Sequence, residues 1–372
     1  MDSPINFVEI NYYCHREISD PGKVIAKHLP TNLYLSAMKG MARVALVKHM
    51  NYEGERVVEK ISYLFFKRSN NFWQIPFLTH RNIKKCNPGV VLVQGCIFPL
   101  QVIFLRWKLG RNVIVILQHQ GEVPYKRKRF FQRWADKSVN GYLFTSLANA
   151  QEWIQAGIIK NHQRCFEIPP ATTLFSRQDK QADIHKTGML GQLNFLWVGR
   201  LNANKDPLTV LSAFSMYFSE NPTAMLYMVY QEDDMLDVVR QTIDQDEHLK
   251  SRAILVGKVE HEKLEDWYSA ADYIVSGSHR EGGSYAIMEA MACGCVPIVT
   301  AIPAAMKMIN YGKAGFYFEA GSATGLYQQL SSLKKEECGH WSTQAEAHFT
   351  KEMSAPAIAN KMQHIITSLQ AK

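Results

Sequence analysis

The sequence predicts an α/β chain of two doubly wound domains. Short runs rich in Val, Ile and aromatic residues alternate with helical patterns along nearly its whole length. That alternation is the signature of parallel sheets with helices on both faces. The runs are too many for one ordinary open sheet. At 372 residues the chain also has room for two cores of about 150 residues each. Its 47% hydrophobic and 20% charged content describes a globular protein, not a disordered one.

In chain order, the strand-like runs of the first half are 5–10, 42–49, 72–77, 89–96, 112–119, 141–146 and 164–170. Those of the second half are 193–200, 224–231, 253–259, 272–278, 296–301 and 315–319, with helical patterns such as 206–218, 262–271 and 284–294 between them. After Gly321 the pattern turns helical, over 323–333, 341–349 and 355–369. A polar stretch without clear period, 176–188, reads as a linker or surface loop. The expected domains are therefore 1–171 and 172–350, with 351–372 a helix packing back on the first. No solenoid-length repeat and no low-complexity tract interrupts them.

Seven cysteines are scattered and form no CxxC pair, which disfavours a zinc ribbon or a disulfide framework and favours a reducing compartment. The first four residues lack the basic-then-apolar order of a signal peptide. The most apolar stretch, 90–107, is broken by Gln94, Gly95, Pro99 and Gln101, so it reads as a strand entering a helix and not as a membrane span. These features predict a soluble cytoplasmic protein, or a peripheral one at the inner face of the membrane. The charge is uneven. Residues 1–171 carry 24 Lys and Arg against 11 Asp and Glu, and residues 172–372 carry 18 against 23, for the net +8. A basic half could face phosphates, nucleic acid or an anionic membrane; unequal solvated surfaces are the bland alternative.

Ligands of doubly wound sheets bind beyond the carboxyl ends of the strands, so the loops after strands carry the search. The richest is 278–289. Gly282 and Gly283 let the backbone approach a ligand, and the amides of Gly283, Ser284 and Tyr285 open a helix, a ready anion site suited to a diphosphate. Glu281 stands before that turn and Glu289 about one turn into the helix, where a ribose could be gripped. The alternative is a Ser284-capped helix with surface glutamates. A second loop follows the run ending at Gly199-Arg200, with Lys205 five residues on; both cations can point to a phosphate above one strand edge. No strand-linked GxGxxG, Walker-A, HExxH or GxSxG motif competes with this reading.

With those residues in view, the sequence resembles the retaining glycosyltransferases of the GT-B fold, family four, the "glycosyltransferases group 1". The resemblance covers about 193–322: Val198-Gly199-Arg200-Leu201 with Lys205, Val256-Gly257-Lys258-Val259, Glu281-Gly282 through Glu289-Ala290-Met291-Ala292-Cys293-Gly294, Val296-Pro297, and Ala314-Gly315-Phe316 to Gly321. It implies two Rossmann-like domains facing a central cleft and transfer of a sugar from a nucleoside diphosphate sugar to a sugar or lipid-linked acceptor. Arg200 and Lys205 would then neutralise the donor phosphates, and the amides near Gly283, Ser284 and Tyr285 would hold the distal phosphate. Glu281 would contact the donor sugar, Glu289 the ribose, Lys258 and Val259 would border the base, and His119 would line the sugar subsite. No metal, no cofactor and no nucleic acid is implied. A sugar-nucleotide epimerase or hydrolase, or a catalytically idle binding scaffold, are the rival readings.

Departures are visible too. The loop after the first strand, 11–22, lacks the family's glycine pair, Gly282-Gly283-Ser284 stands for the frequent Gly-Phe-Gly, and Ile168-Pro169-Pro170-Ala171 replaces the usual Pro-Asn-Gly turn. Cys293 and Cys295 read as packing residues, not metal ligands. Finally, 126–134 sets five cations among Phe130, Phe131 and Trp134, a composition suited to an anionic membrane surface or to a solvated helix with inward aromatics. Lipid-linked acceptors and cell-surface polysaccharide or glycolipid assembly are the corresponding expectation.

Overall fold

The computed structural model describes residues 5–15, 18–38, 41–67, 73–231 and 234–371. The chain forms two compact units, one running to Thr172 and resuming at Ser354, the other spanning Thr173–Met353. The first four residues, read above for a leader, lie outside the described residues.

The first unit is built on an eight-stranded sheet. Its strands are β1 (Ile5–His15), β2 (Met41–Met50), β3 (Gly54–Val58), β4 (Ile61–Phe66), β5 (Val90–Gln94), β6 (Ile114–Gln118), β7 (Gly141–Phe144) and β8 (Cys165–Glu167), in the order β3-β4-β2-β1-β5-β6-β7-β8. All pair in parallel except β3 with β4. Alternate side chains feed two apolar layers: Phe7, Leu46, Tyr63 and Leu92 on one face, Val8, Val47, Val91 and Val115 on the other.

The helix Ala355–Gln370 closes the first of those layers. Ile358, Ala359, Met362, Ile365, Ile366 and Leu369 recur at helical spacing and all are buried there. It packs on the helix Pro21–Ser36 and on β6. Gly141 on β7 leaves the space: a Cβ there would stand 3.0 Å from Leu369 Cδ1.

Three local expectations are corrected, and one hairpin is new. The loop proposed at 11–16 is, as far as His15, a bulged continuation of β1, because Tyr12 turns inward to meet His80 Nε2 at 2.8 Å and packs on His49 and Phe98; Arg16 lies outside the described residues. The strand proposed at 72–77 is absent among its described residues: Trp73 packs on Tyr125 and Phe131, and Pro76 introduces the helix Phe77–Lys85. The β3–β4 hairpin was not anticipated. Its two-residue turn, Glu59-Lys60, has φ of 51° and 64°, a conformation usually announced by Asn-Gly and here carried by residues that give no such signal. The stretch read as linker contains the helix Lys180–Thr187, capped by Asp179. Ion pairs, Lys180 to Asp272 at 2.5 Å and Lys186 to Asp266 at 2.8 Å, tie it to the unit, and Ile184 packs on an apolar cluster.

The second unit has six parallel strands, β9 (Leu193–Gly199), β10 (Ala224–Tyr230), β11 (Ala253–Gly257), β12 (Tyr273–Ser276), β13 (Val296–Thr300) and β14 (Phe316–Phe318), in the order β11-β10-β9-β12-β13-β14. Helices such as Pro207–Glu220, Tyr285–Ala292 and Ala323–Ser331 cover its faces. No helix of the described residues is long and apolar enough to cross a membrane.

The packing of the last helix gives a direct test. Met362→Ala should destabilise the protein by about 2–4 kcal/mol, the range for truncating a fully buried long apolar side chain, measured by urea denaturation. A loss within about 0.5 kcal/mol, typical of surface sites, would contradict this role for the helix.

Candidate functional site

The strand order of the second sheet reverses between β9 and β12: β10 and β11 follow on one side, β13 and β14 on the other. Loops leaving the carboxyl ends of two such neighbours diverge and leave a crevice. The two loops singled out in the sequence are these two, 200–206 after β9 and 277–284 after β12.

They are fastened to each other. The His279 amide donates to the Asn204 carbonyl at 2.8 Å, and the Asn204 side-chain amide donates to the Arg280 carbonyl at 3.1 Å. His279 Nε2 lies 2.9 Å from Asp206 Oδ2, and Asp206 also caps the helix Pro207–Glu220 through the Thr209 amide. Gly277 makes the approach possible: a Cβ there would stand 3.0 Å from the Asp206 carbonyl oxygen and 3.1 Å from that of Lys205. Across this seam the Lys205 ammonium pairs with the Glu281 carboxylate, both largely shielded from solvent. Arg200 is exposed at the end of β9.

The helix start departs in detail from its expected form. Ser284 is buried; its hydroxyl caps the Ile287 amide, and its own amide donates to Met308 Sδ at 3.4 Å instead of pointing outward. Gly283 precedes it, and Tyr285, at the first helical position, is exposed. Glu289 lies on the inner face of the helix, only 3% exposed. Burying a carboxylate requires partners, and it has two: His261 Nε2 at 2.7 Å and the Tyr268 hydroxyl, which donates at 3.2 Å. The carboxylate hydrogen bond pushes the His261 imidazole above its ordinary range, while burial and the same carboxylate push the Tyr268 phenol far up. Lys258 is exposed beyond β11, and Val259 is half-buried in the cluster that also holds Phe175.

His119 belongs to the first unit, just beyond β6. Its ring is 1% exposed and packs on Phe144 and Trp153. Nε2 lies 2.9 Å from the Glu122 carbonyl oxygen, and the Gly121 amide donates to Nδ1 at 3.4 Å. Within its own unit the imidazole fixes the turn 119–122. The basic segment is a shorter helix than the sequence suggests, Arg129–Ala135, entered through Lys128 at φ 63°. Cys293 and Cys295 are buried free thiols, pushed up by burial. Among the described residues no group of three or more His, Cys, Asp and Glu side chains is arranged to hold a metal ion.

Residues 179–351 match the family "Glycosyl transferases group 1". This segment belongs to that family. The matched segment contains both crevice loops and Glu289. Mannosylfructose-phosphate synthase of Agrobacterium fabrum is 28% identical over 161 residues, 41% of this chain and 34% of that protein. N-acetyl-alpha-D-glucosaminyl L-malate synthase of Bacillus anthracis is 29% identical over 90 residues, 24% of this chain and 23% of its own length. The chain thus spans about a third or less of the curated relatives it matches. Among solved structures, Anabaena Alr3699/HepE in complex with UDP superposes with a TM-score of 0.74 at 14% identity, over 98% of this chain and 100% of that one. The fold is GT-B.

His261, Tyr268, His279, Asp206 and Gly277 were not singled out by sequence. Asp206 before Pro207 carries a helix-start signal, but nothing local marks one histidine among thirteen. The seam between the loops predicts that Gly277→Ala, which adds a methyl group against two backbone carbonyls, destabilises by about 1–3 kcal/mol. A neutral or stabilising effect in urea denaturation, as at an open glycine, would contradict the seam.

Proposed function

We propose that the chain transfers a sugar from a nucleoside diphosphate sugar to an acceptor, with retention at the anomeric carbon. The Lys205–Glu281 pair, set in the β9/β12 crevice at the start of the helix Tyr285–Ala292, carries this reading. Breaking the anomeric C–O bond puts positive charge on the sugar and negative charge on the departing diphosphate. Lys205 and Arg200 stabilise the leaving group, with the helix dipole behind Gly283 and Tyr285 adding to them; Ser284 contributes by capping the helix. Fixed charges in a shielded crevice act strongly because they need no reorganisation. Glu281, paired with Lys205, sits where the sugar joins the diphosphate. Glu289 receives the ribose hydroxyls, and Lys258 and Val259 border the base. Family membership of 179–351 and the UDP held by the Anabaena protein support the donor class.

For the acceptor we favour a lipid-linked one, in surface polysaccharide or glycolipid assembly. The observation behind this choice is an aromatic and basic face on the first unit. Phe130 and Trp134 are exposed on the helix Arg129–Ala135, and Trp107 is 75% exposed on the neighbouring helix Pro99–Leu109. Phe77 and Leu78 are exposed beside Phe104 on that same side. Lys126, Arg127, Lys128 and Arg129 are exposed, with Lys128 Nζ 4.8 Å from the Trp73 ring centre. Exposed aromatics beside cations suit an anionic bilayer interface.

Lys205→Ala and Arg200→Ala should each lower turnover with a nucleotide sugar at least about a hundredfold, scored by release of nucleoside diphosphate. Glu289→Ala should mainly weaken nucleotide binding, and Glu281→Ala mainly turnover; unchanged activity in all four variants would remove the site. The protein should float with vesicles of three parts phosphatidylcholine to one part phosphatidylglycerol and detach as salt rises. Replacing Lys126, Arg127, Lys128 and Arg129 with Gln should abolish flotation and leave nucleotide affinity intact. Failure of the unmodified protein to float would favour a soluble acceptor.

A further inference from the structure

An ionised carboxylate offers about four lone-pair directions. At Glu289 His261 engages Oε1 and Tyr268 engages Oε2, which leaves acceptor capacity on both oxygens for a pair of hydroxyls. The two partners differ. Tyr268 is fully buried and stays a neutral donor. His261 has a half-exposed side chain and depends on its neighbours for its place.

Those neighbours are unusually well tied. Phe175 lies against the His261 ring at 5.1 Å between centres and 28° between planes, and its ring also reaches that of Tyr268 at 6.2 Å. Phe175 sits in a strap fastened on its carboxyl side. The Ser176 amide donates to Glu265 Oε1 at 2.8 Å, and Arg177 pairs with Glu346 at 3.3 Å and bonds the Ser342 hydroxyl. One face of the imidazole is therefore covered by an anchored aromatic, while its edge is bonded to the carboxylate.

We infer that His261, clamped by Phe175, is a positioning residue that aims the Glu289 carboxylate at the ribose and so sets the preference for a nucleotide with both ribose hydroxyls. This rests on the reading of Glu289 as the ribose carboxylate. The groups facing the imidazole are Glu289, Glu262 and Phe175, and Tyr268 meets it through the shared Glu289 carboxylate. Glu289 raises its folded-state pKa, so the charge-assisted bond is complete below the ordinary histidine range and is lost as pH rises through the raised value.

The test is calorimetric titration of the full chain with whichever of UDP, GDP or ADP binds it, and with the 2′,3′-dideoxy counterpart. The unmodified protein should prefer the ribonucleotide about tenfold or more, as two hydrogen bonds to a charged group allow. That preference should decline as pH rises above the ordinary histidine range. His261→Ala should reduce it to about threefold or less while binding the dideoxy nucleotide as the unmodified protein does. His261→Gln keeps an N–H donor; it should retain part of the preference without the pH dependence. If Glu289→Ala keeps the full preference, or no nucleotide binds, the ribose reading of Glu289 falls and this assignment with it. If Glu289→Ala removes the preference and His261→Ala keeps it, the assignment of His261 alone is overturned. Equal weakening of both nucleotides by His261→Ala would mark it as merely structural and also overturn the proposal.

Discussion

Two carbonyl oxygens stand 3.0 and 3.1 Å from where a side chain at Gly277 would begin, and the geometry of the crevice follows from that close approach. Because the backbone of 205–206 can lie directly on the end of β12, the His279 amide donates to the Asn204 carbonyl, the Asn204 side chain donates to the Arg280 carbonyl, and the His279 ring meets Asp206 across the seam. Lys205 is thereby carried to Glu281, 76 residues away in the chain. Two long flexible side chains on a surface would gain little from pairing. Here both are mostly shielded, and the backbone beneath them is fixed, so less freedom is lost in holding them in register.

A second constraint is the burial of Glu289. A carboxylate at 3% exposure is tolerable only with donors on both oxygens, and the donors come from outside its own helix. Tyr268 belongs to the helix Leu264–Ala270, and His261 to the turn just before it. Phe175, from the segment that opens the unit, packs on both rings. The chain entering the second unit is thus part of the shell around the buried Glu289 carboxylate. The helix Lys180–Thr187 is tied to Asp266 and Asp272 by ion pairs, while its Ile184 packs on the same apolar cluster that holds Tyr268.

The first unit solves a different problem. Its sheet is closed on one side by a helix that arrives from the far end of the chain, and Gly141 marks where that helix comes nearest. The opposite layer supports helices whose outer faces retain Phe77, Trp107, Phe130 and Trp134 in the open. Their apolar rings stay in water, where covering them would be favourable. Cations stand beside Phe130 and Trp134 in the segment 126–134.

Periodicity determined much of this protein in advance. Alternating apolar runs and helical patterns predicted two doubly wound α/β domains, and the loops at 200–206 and 278–289 were recognisable because strand, glycine and helix start follow one another locally. Whatever depends on contact between distant segments was decided only by the tertiary structure. His261 and Tyr268 became partners of Glu289 through packing of two helices. Gly277 acquired its importance from carbonyls some seventy residues earlier in the chain. The Glu59-Lys60 turn adopted a left-handed conformation imposed by the pairing of its strands. Ser284 lost its outward amide to Met308, the last residue of the helix Pro303–Met308. Local order is written in neighbouring residues, whereas burial and pairing belong to residues that meet only once the sheet has formed.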